Sequence, residues 1–180
     1  MTWYPPVALT APGRSSASSE AAPGSSLIPL PPHPGAFAVM RKHHVHEGVD
    51  IYCPEKTAVR AVEDGIVRLV TPFTGEAAGS PWWLPTQAVF VEGASGLVVY
   101  GEVTTGCRAG QQVRRGEAIA AVRRVLRHDK GLPTCMLHLE LRDPAHREAL
   151  QLFDWALGAP RPPWLLDPTP FLEGARLFTD

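Results

Sequence analysis

Three histidines and two carboxylates crowd into eight residues, His43-His44-Val45-His46-Glu47-Gly48-Val49-Asp50, of a chain that has seven histidines in all. Imidazole and carboxylate are the groups a borderline-soft ion such as zinc accepts when a fold gathers them. His46 and Asp50 stand four apart, and a bend at Gly48 on entry to a strand would turn both side chains toward one point. A third ligand must come from elsewhere, and His138 is the best candidate. In Met136-Leu137-His138-Leu139-Glu140-Leu141, strand alternation places Met136, His138 and Glu140 on one face and the leucines on the other. The same residues would also fit a solvated histidine patch with His138 as a hydrogen-bonded core residue; only mutual geometry separates these readings.

The elements that would position such a site are short strands. Residues 49–53, 58–62, 65–71, 88–92, 97–103, 118–125 and 136–142 are rich in Val, Ile and Leu and bounded by Gly, Pro or charged turns. Glu63-Asp64-Gly65 and Glu92-Gly93-Ala94-Ser95-Gly96 read as hairpin turns, which would make the strands they join antiparallel. Residues 71–86, with Trp82 and Trp83, form an aromatic insertion that would wall a groove or close one end of a sheet. Residues 127–133 read as a mobile connection. Asp143 as cap, Pro144 in a first turn and Gly158 as a stop predict a helix over 144–157, with Ala149, Leu152, Phe153, Ala156 and Leu157 as its buried stripe. In the proline-punctuated tail that follows, Trp164, Leu165 and Phe171 are expected to pack on the sheet.

The chain has 180 residues, net charge −1, 19 prolines and 16 glycines, so one mainly β domain rich in turns is expected. Near-zero charge argues against a nucleic-acid partner bound through a general field. Residues 1–35, rich in Pro, Ser, Ala and Gly, read as a flexible or loosely docked leader. The run Leu27-Ile28-Pro29-Leu30 within it would lie extended against a domain spanning 36–172, and 173–180 form a tail. The N-terminus has neither a basic start nor a long apolar run, so no secretory signal or membrane span is expected, and the cytoplasm is the compartment this implies. Cys53, Cys107 and Cys135 read as small buried residues rather than a disulfide framework.

His46-Glu47-Gly48-Val49-Asp50-Ile51, the stretch from Thr57 to Val67, Val98-Val99-Tyr100, the stretch from Gly110 to Ala120, the His138 strand and Asp167-Pro168-Thr169-Pro170-Phe171-Leu172 together resemble the lysostaphin-type (LytM-like) zinc metallopeptidases, in order and spacing, over residues 36–172. The resemblance implies a mainly β, antiparallel sheet core with one C-terminal helix and long loops, zinc held by His46, Asp50 and His138, and peptidoglycan peptides as ligands, acted on in the periplasm or outside the cell. It also marks two departures. The family's non-ligand histidines correspond to Met136 and Glu102. Met136 cannot take a proton, and losing one general acid or base removes about 10²- to 10⁴-fold in rate. A zinc-holding pseudoenzyme that binds peptides is one reading. An active endopeptidase with Glu102 as general base is the other. His44, Glu140, Met136 and Tyr100 are expected to support the ligands or touch substrate, and His43 and His44 could supply acids. The segment 110–120 also looks like the hairpin of a biotinyl or lipoyl carrier, but its turn carries Arg114 and Arg115 where a carrier needs a modifiable lysine.

Overall fold

The computed structural model describes residues 2–9, 26–128 and 135–175. Eleven strands alternate with turns: β1 (His44–Val45), β2 (Val49–Tyr52), β3 (Ala58–Arg60), β4 (Gly65–Thr74), β5 (Thr86–Gly93), β6 (Gly96–Thr104), β7 (Gln112–Val113), β8 (Ala118–Val122), β9 (Met136–Arg142), β10 (Trp155–Ala156) and β11 (Leu165–Leu166). Nine of them form one sheet, whose main path runs β11-β9-β6-β5-β4-β7 and in which β2 pairs with β9, and β8 with both β6 and β3. Every one of these pairings is antiparallel. The mainly β, antiparallel class expected from the sequence is therefore the class observed. Among the described residues no helix is long and apolar enough to cross a membrane.

Alternation along the central strands builds the core. Val89, Val91, Val99, Leu137, Leu139 and Leu141 are almost wholly buried, as are Tyr100 and Phe90. The two-residue tip Ala94-Ser95 joins β5 to β6, with Gly93 opposite Gly96. The Glu63-Asp64-Gly65 turn is a correction. It makes a corner, since β3 pairs with β8 while β4 pairs with β5 and β7. The physical reason is Glu63, whose buried carboxylate leaves the turn to accept the amide and hydroxyl of Ser95 at the β5–β6 tip, at 3.0 and 2.5 Å.

The helix expected over 144–157 does not form. Asp143 does take a capping bond, from the amide of Ala145 at 2.9 Å, but the chain makes only a 3₁₀ turn at Arg147–Leu150 before extending into β10. Two competing interactions explain this. Buried Arg142 takes the carbonyls of Ala149 and Gln151, which a helix would use internally. β10 then pairs with β1, bringing Ala156 opposite His44 and Trp155 opposite Val45. Of the expected stripe, Ala149 is fully buried and Phe153 packs against the core, whereas Leu152 and Leu157 stay exposed; Trp155, outside the stripe, is buried. Among the described residues the single α-helix, α1, is nearer the C-terminus at Thr169–Ala175 and buries Leu172 and Ala175. Of the tail residues expected to pack on the sheet, Trp164 is buried in the core and Phe171 packs against it, whereas Leu165 joins the sheet as part of β11.

Both described ends of the leader enter the core. Trp3 is 1% exposed, stacks 4.8 Å from Phe171 and donates from its indole nitrogen to Ser95 at 2.9 Å. The Tyr4 amide donates to the Val62 carbonyl, and Leu9 bridges Ser26 in parallel. The Ser-rich middle of the leader, most of the connection at 127–133 and the tail from 176 lie outside the described residues. In the aromatic insertion, Trp82 and Trp83 sit edge to face at 6.2 Å and are exposed. Trp3→Ala is expected to cost about 3 to 5 kcal/mol of unfolding free energy in urea titrations; a loss within experimental error would show that residues 2–9 are not part of the folding unit.

Candidate metal centre

The ladder between β2 and β9 sets the geometry. Asp50 faces His138 and Tyr52 faces Met136. One step beyond, the Cys53 amide donates to the Cys135 carbonyl at 3.3 Å, whereas the Asp50 amide turns away from β9 to the carbonyl of Gly35 at 2.8 Å. In an antiparallel ladder this alternation makes Asp50–His138 a non-hydrogen-bonded pair, the kind in which side chains approach most closely. Asp50 Oδ1 accordingly lies 2.8 Å from His138 Nδ1.

His46 arrives from the loop before β2, tied at its backbone to Val39 and Ala38. Its Nδ1 is 2.8 Å from the carbonyl oxygen of Ala36. A carbonyl only accepts, so Nδ1 carries the proton and Nε2 presents a lone pair. That Nε2 lies 3.2 Å from Asp50 Oδ1 and 3.3 Å from His138 Nδ1. His138 is oriented in the same manner, with Nε2 3.2 Å from Glu140 Oε1, which directs Nδ1 inward. Three ligand atoms, one from each buried residue, thus lie within 4.8 Å of one another.

Three converging acceptors cannot satisfy one another without a positive charge between them. In the protein alone that charge is a proton. Burial disfavours it, but hydrogen bonds to Asp50 and Glu140 carry His138 well above its ordinary range. Asp50, against the same burial, is held well below its usual value by His46 and His138. A divalent cation in place of the proton would satisfy all three lone pairs at once, and the fixed tautomers are those ligation requires. The donor set fits a metal ion.

Gly48 serves this packing, though through space rather than through a bend. Its φ lies outside the left-handed region, and a Cβ there would fall 2.6 Å from the Leu139 carbonyl oxygen and 2.9 Å from the His138 ring. Gly101, opposite His138, makes room in the same way for Phe73, whose ring sits 5.4 Å from that of His138.

Glu140 lies behind His138. Arg142 Nε donates to its second oxygen at 2.8 Å, while Nη2, at 2.6 Å, makes an ion contact without hydrogen-bond alignment. The guanidinium is wholly buried between the rings of Phe90 and Trp164, 5.5 and 5.3 Å away. Burial alone would raise the Glu140 carboxyl, but Arg142 and then His138 hold it ionised below its ordinary value. On the other side, Arg41 bonds Asp50 Oδ2 and also donates to the Pro34 carbonyl at 2.9 Å.

Met136 is half-buried on the ligand face. Glu102 sits in a bulge of β6, where Gln87 pairs with Val103 but Val89 with Tyr100, and its φ is 60°. The residue as a whole is half-buried, yet its Oε2 is shut off from solvent with no hydrogen-bond partner. Burial, then the charge of Asp50, pushes its carboxyl up to about 8. His44 is half-buried, 3.8 Å from Glu47, and burial followed by Arg41 lowers its imidazole. His43 is exposed. Tyr100 departs from expectation. It faces Leu139 on the core side, and its hydroxyl accepts the Val62 amide at 2.9 Å, so alternation removes it from the ligand face.

The structure adds residues to which the sequence reading gave no role. Buried Glu47, with Oε2 unpartnered, is pushed to about 7, chiefly by burial. Tyr52 shares the face of Asp50, and its ring lies 5.8 Å from that of buried His33. Alternation along β2 would have found Tyr52; no spacing pointed to His33 or Arg41, which come from irregular loops.

Asp50 and His138 on facing strands, with His46 converging from the loop before β2, form a group that could hold a metal ion. The model of peptidase family M23 matches residues 44–150, and the chain belongs to that family. Among solved structures it is similar to lysostaphin (17% identity over 73% of this chain and 44% of that one, TM-score 0.49). It is also similar to a Pseudomonas aeruginosa protein described as a peptidase M23 (20%, 81% and 53%, 0.45) and to Csd3 of Helicobacter pylori (20%, 88% and 36%, 0.47). The chain thus spans about half or less of each of these proteins. No curated protein sequence matches it.

For Glu102 the sign of the pH effect is fixed. An acid whose folded value, about 8, exceeds its ordinary 4.5 ionises first in the unfolded chain, so stability falls as pH rises between the two. In chelator-treated protein, Glu102→Gln should match wild type near pH 4 and exceed it by roughly 3 kcal/mol or more above pH 8 in denaturant titrations. Equal stability at both ends would mean the carboxylate is solvated.

Proposed function

We propose that this domain binds zinc through His46, Asp50 and His138 and recognises peptides, those of peptidoglycan above all, with hydrolysis impaired or absent. The carrying observation is the convergence of His46 Nε2, His138 Nδ1 and Asp50 Oδ1 on one point; Met136 and Glu102 stand where the resemblance to lysostaphin-type peptidases would put proton-transferring imidazoles. Zinc, when bound in such a site, polarises a carbonyl and lowers the pKa of water toward neutrality. The chain's own residues do the rest. Ala36 and Glu140 hold the tautomers of His46 and His138, Arg142 keeps Glu140 ionised, and Arg41 bonds the outer oxygen of Asp50. Met136 offers an apolar wall where a proton shuttle would stand. Work on wall peptides would place the domain in the periplasm or outside the cell.

A second reading is favoured by Glu102. A buried, unpartnered carboxylate with its pKa near 8 is in the range where a general base operates, so an active zinc endopeptidase using Glu102 is the alternative. The sequence-expected supports divide accordingly: Glu140 orients a ligand, Met136 and His44 border the site, and Tyr100 supports the sheet.

Wild type should carry one zinc per chain by elemental analysis, and His46→Ala none; unchanged zinc in the variant would defeat the ligand assignment. Glu140→Gln should weaken zinc binding about 10- to 100-fold in chelator competition, as loss of a ligand's orienting partner does. Turnover of cross-linked peptidoglycan and of oligoglycine by wild type, Glu102→Gln and Met136→His separates the two readings. Absent turnover that appears only in Met136→His supports the disabled peptidase, whereas wild-type turnover lost in Glu102→Gln supports the recruited base.

A further inference from the structure

The cysteines were expected to be small buried residues rather than a disulfide framework; all three are free but only partly buried, and two of them meet. The β2–β9 register pairs Val49 with Leu139, Asp50 with His138, Ile51 with Leu137 and Tyr52 with Met136. Continued by one step it sets Cys53 opposite Cys135, and the Cys53 amide donates to the Cys135 carbonyl at 3.3 Å. A hydrogen-bonded antiparallel pair has its Cα atoms about 5.5 Å apart, inside the roughly 4.4–6.8 Å that a disulfide spans. The Cβ atoms of such a pair must draw somewhat closer to bridge. Here the pair lies just past the ends of both strands, on a long terminal hydrogen bond. Both residues are accessible to a small oxidant. Cys107 is elsewhere, donating its thiol to the Ile119 carbonyl at 3.3 Å.

We propose that Cys53 and Cys135 are a covalent redox site, closing a cross-strand disulfide that staples β2 to β9 three residues from Asp50 and from His138. With oxidised glutathione as the oxidant, one protein thiolate attacks a glutathione sulfur and releases a glutathione thiolate. The second protein thiolate then displaces the remaining glutathione from the mixed disulfide. Two protein thiols and one glutathione disulfide give one protein disulfide and two glutathione thiols, with two electrons passing to glutathione. The bond would hold in register the two strands whose facing side chains make the metal centre. Burial pushes the Cys53 thiol up to about 11, so little of it is thiolate at neutral pH and closure should speed up as pH rises. This inference is independent of the metal and peptide readings.

The test uses the full-length chain with Cys107→Ser, so that only the pair remains. After incubation with oxidised glutathione, denaturing thiol titration should fall from two thiols to none. The intact mass should drop by about 2 Da, that of two hydrogens, and a proteolytic map should show a peptide joining Cys53 to Cys135. The monomer should then unfold at a temperature higher by about 5 °C or more, reversibly with reductant, as a bridge closing a long loop does. In the same background, Cys53→Ser should take up one glutathione and show no thermal gain. Two thiols persisting, a stable glutathione adduct on the pair, or disulfide-linked dimers would each overturn the proposal.

Discussion

The class of pairing between Asp50 and His138 is the constraint on which the site depends. In the wider, hydrogen-bonded class of position the two side chains would stand farther apart, and with β9 displaced by one residue a leucine would face the aspartate while the histidine entered the core. Register is pinned from both sides. Leu137, Leu139 and Leu141 can be buried only on the face opposite the site, and Arg142 is clamped between two aromatic rings while it holds Glu140. The apolar packing that stabilises the sheet and the polar packing that orients the ligands therefore demand the same alignment.

Electrostatics then concentrate at one point. His46, Asp50 and His138 bring acceptor atoms together in a region closed to water, and the surrounding charges divide into those that support the arrangement and those that strain it. Arg41 and Arg142 support it. Glu47 and Glu102 do not, because each has a buried oxygen with no hydrogen-bond partner, and Glu102 also holds a backbone angle that an L-residue adopts at a cost of about 1 kcal/mol or more. Features that weaken the fold while facing a ligand set are commonly retained for what they do there.

Much of this was legible in the sequence because it rests on period-two alternation. The boundaries of β9 came out as expected, the other long strands shifted by a few residues at their ends, and the three residues that converge were found from one local motif and one alternating strand. Alternation also contained the answer for Tyr100, which it sends to the core, and for Tyr52, which it sends to the site. The helix expected at 144–157 failed for a reason no local pattern carries. Its capping and turn residues were sound, but a guanidinium from β9 and an edge pairing with β1 removed the carbonyls and the backbone a helix needs. His33 and Arg41 were equally hidden, since irregular loops with no periodicity deliver them. Gly48 was recognised as necessary for the wrong reason: the site needs the volume its missing side chain leaves.

The bond from Arg41 to Asp50 bears on which ions the centre can discriminate. With Oδ2 engaged by the guanidinium, the aspartate is left as a one-toothed donor, and the remaining two positions are nitrogen. Calcium wants six to eight oxygens and often a bidentate carboxylate, and magnesium an octahedron of oxygen and water. Were a metal held there by two nitrogens and a single oxygen, the set would handicap both of the alkaline-earth ions that are abundant around cells, through an arginine that itself would touch no metal.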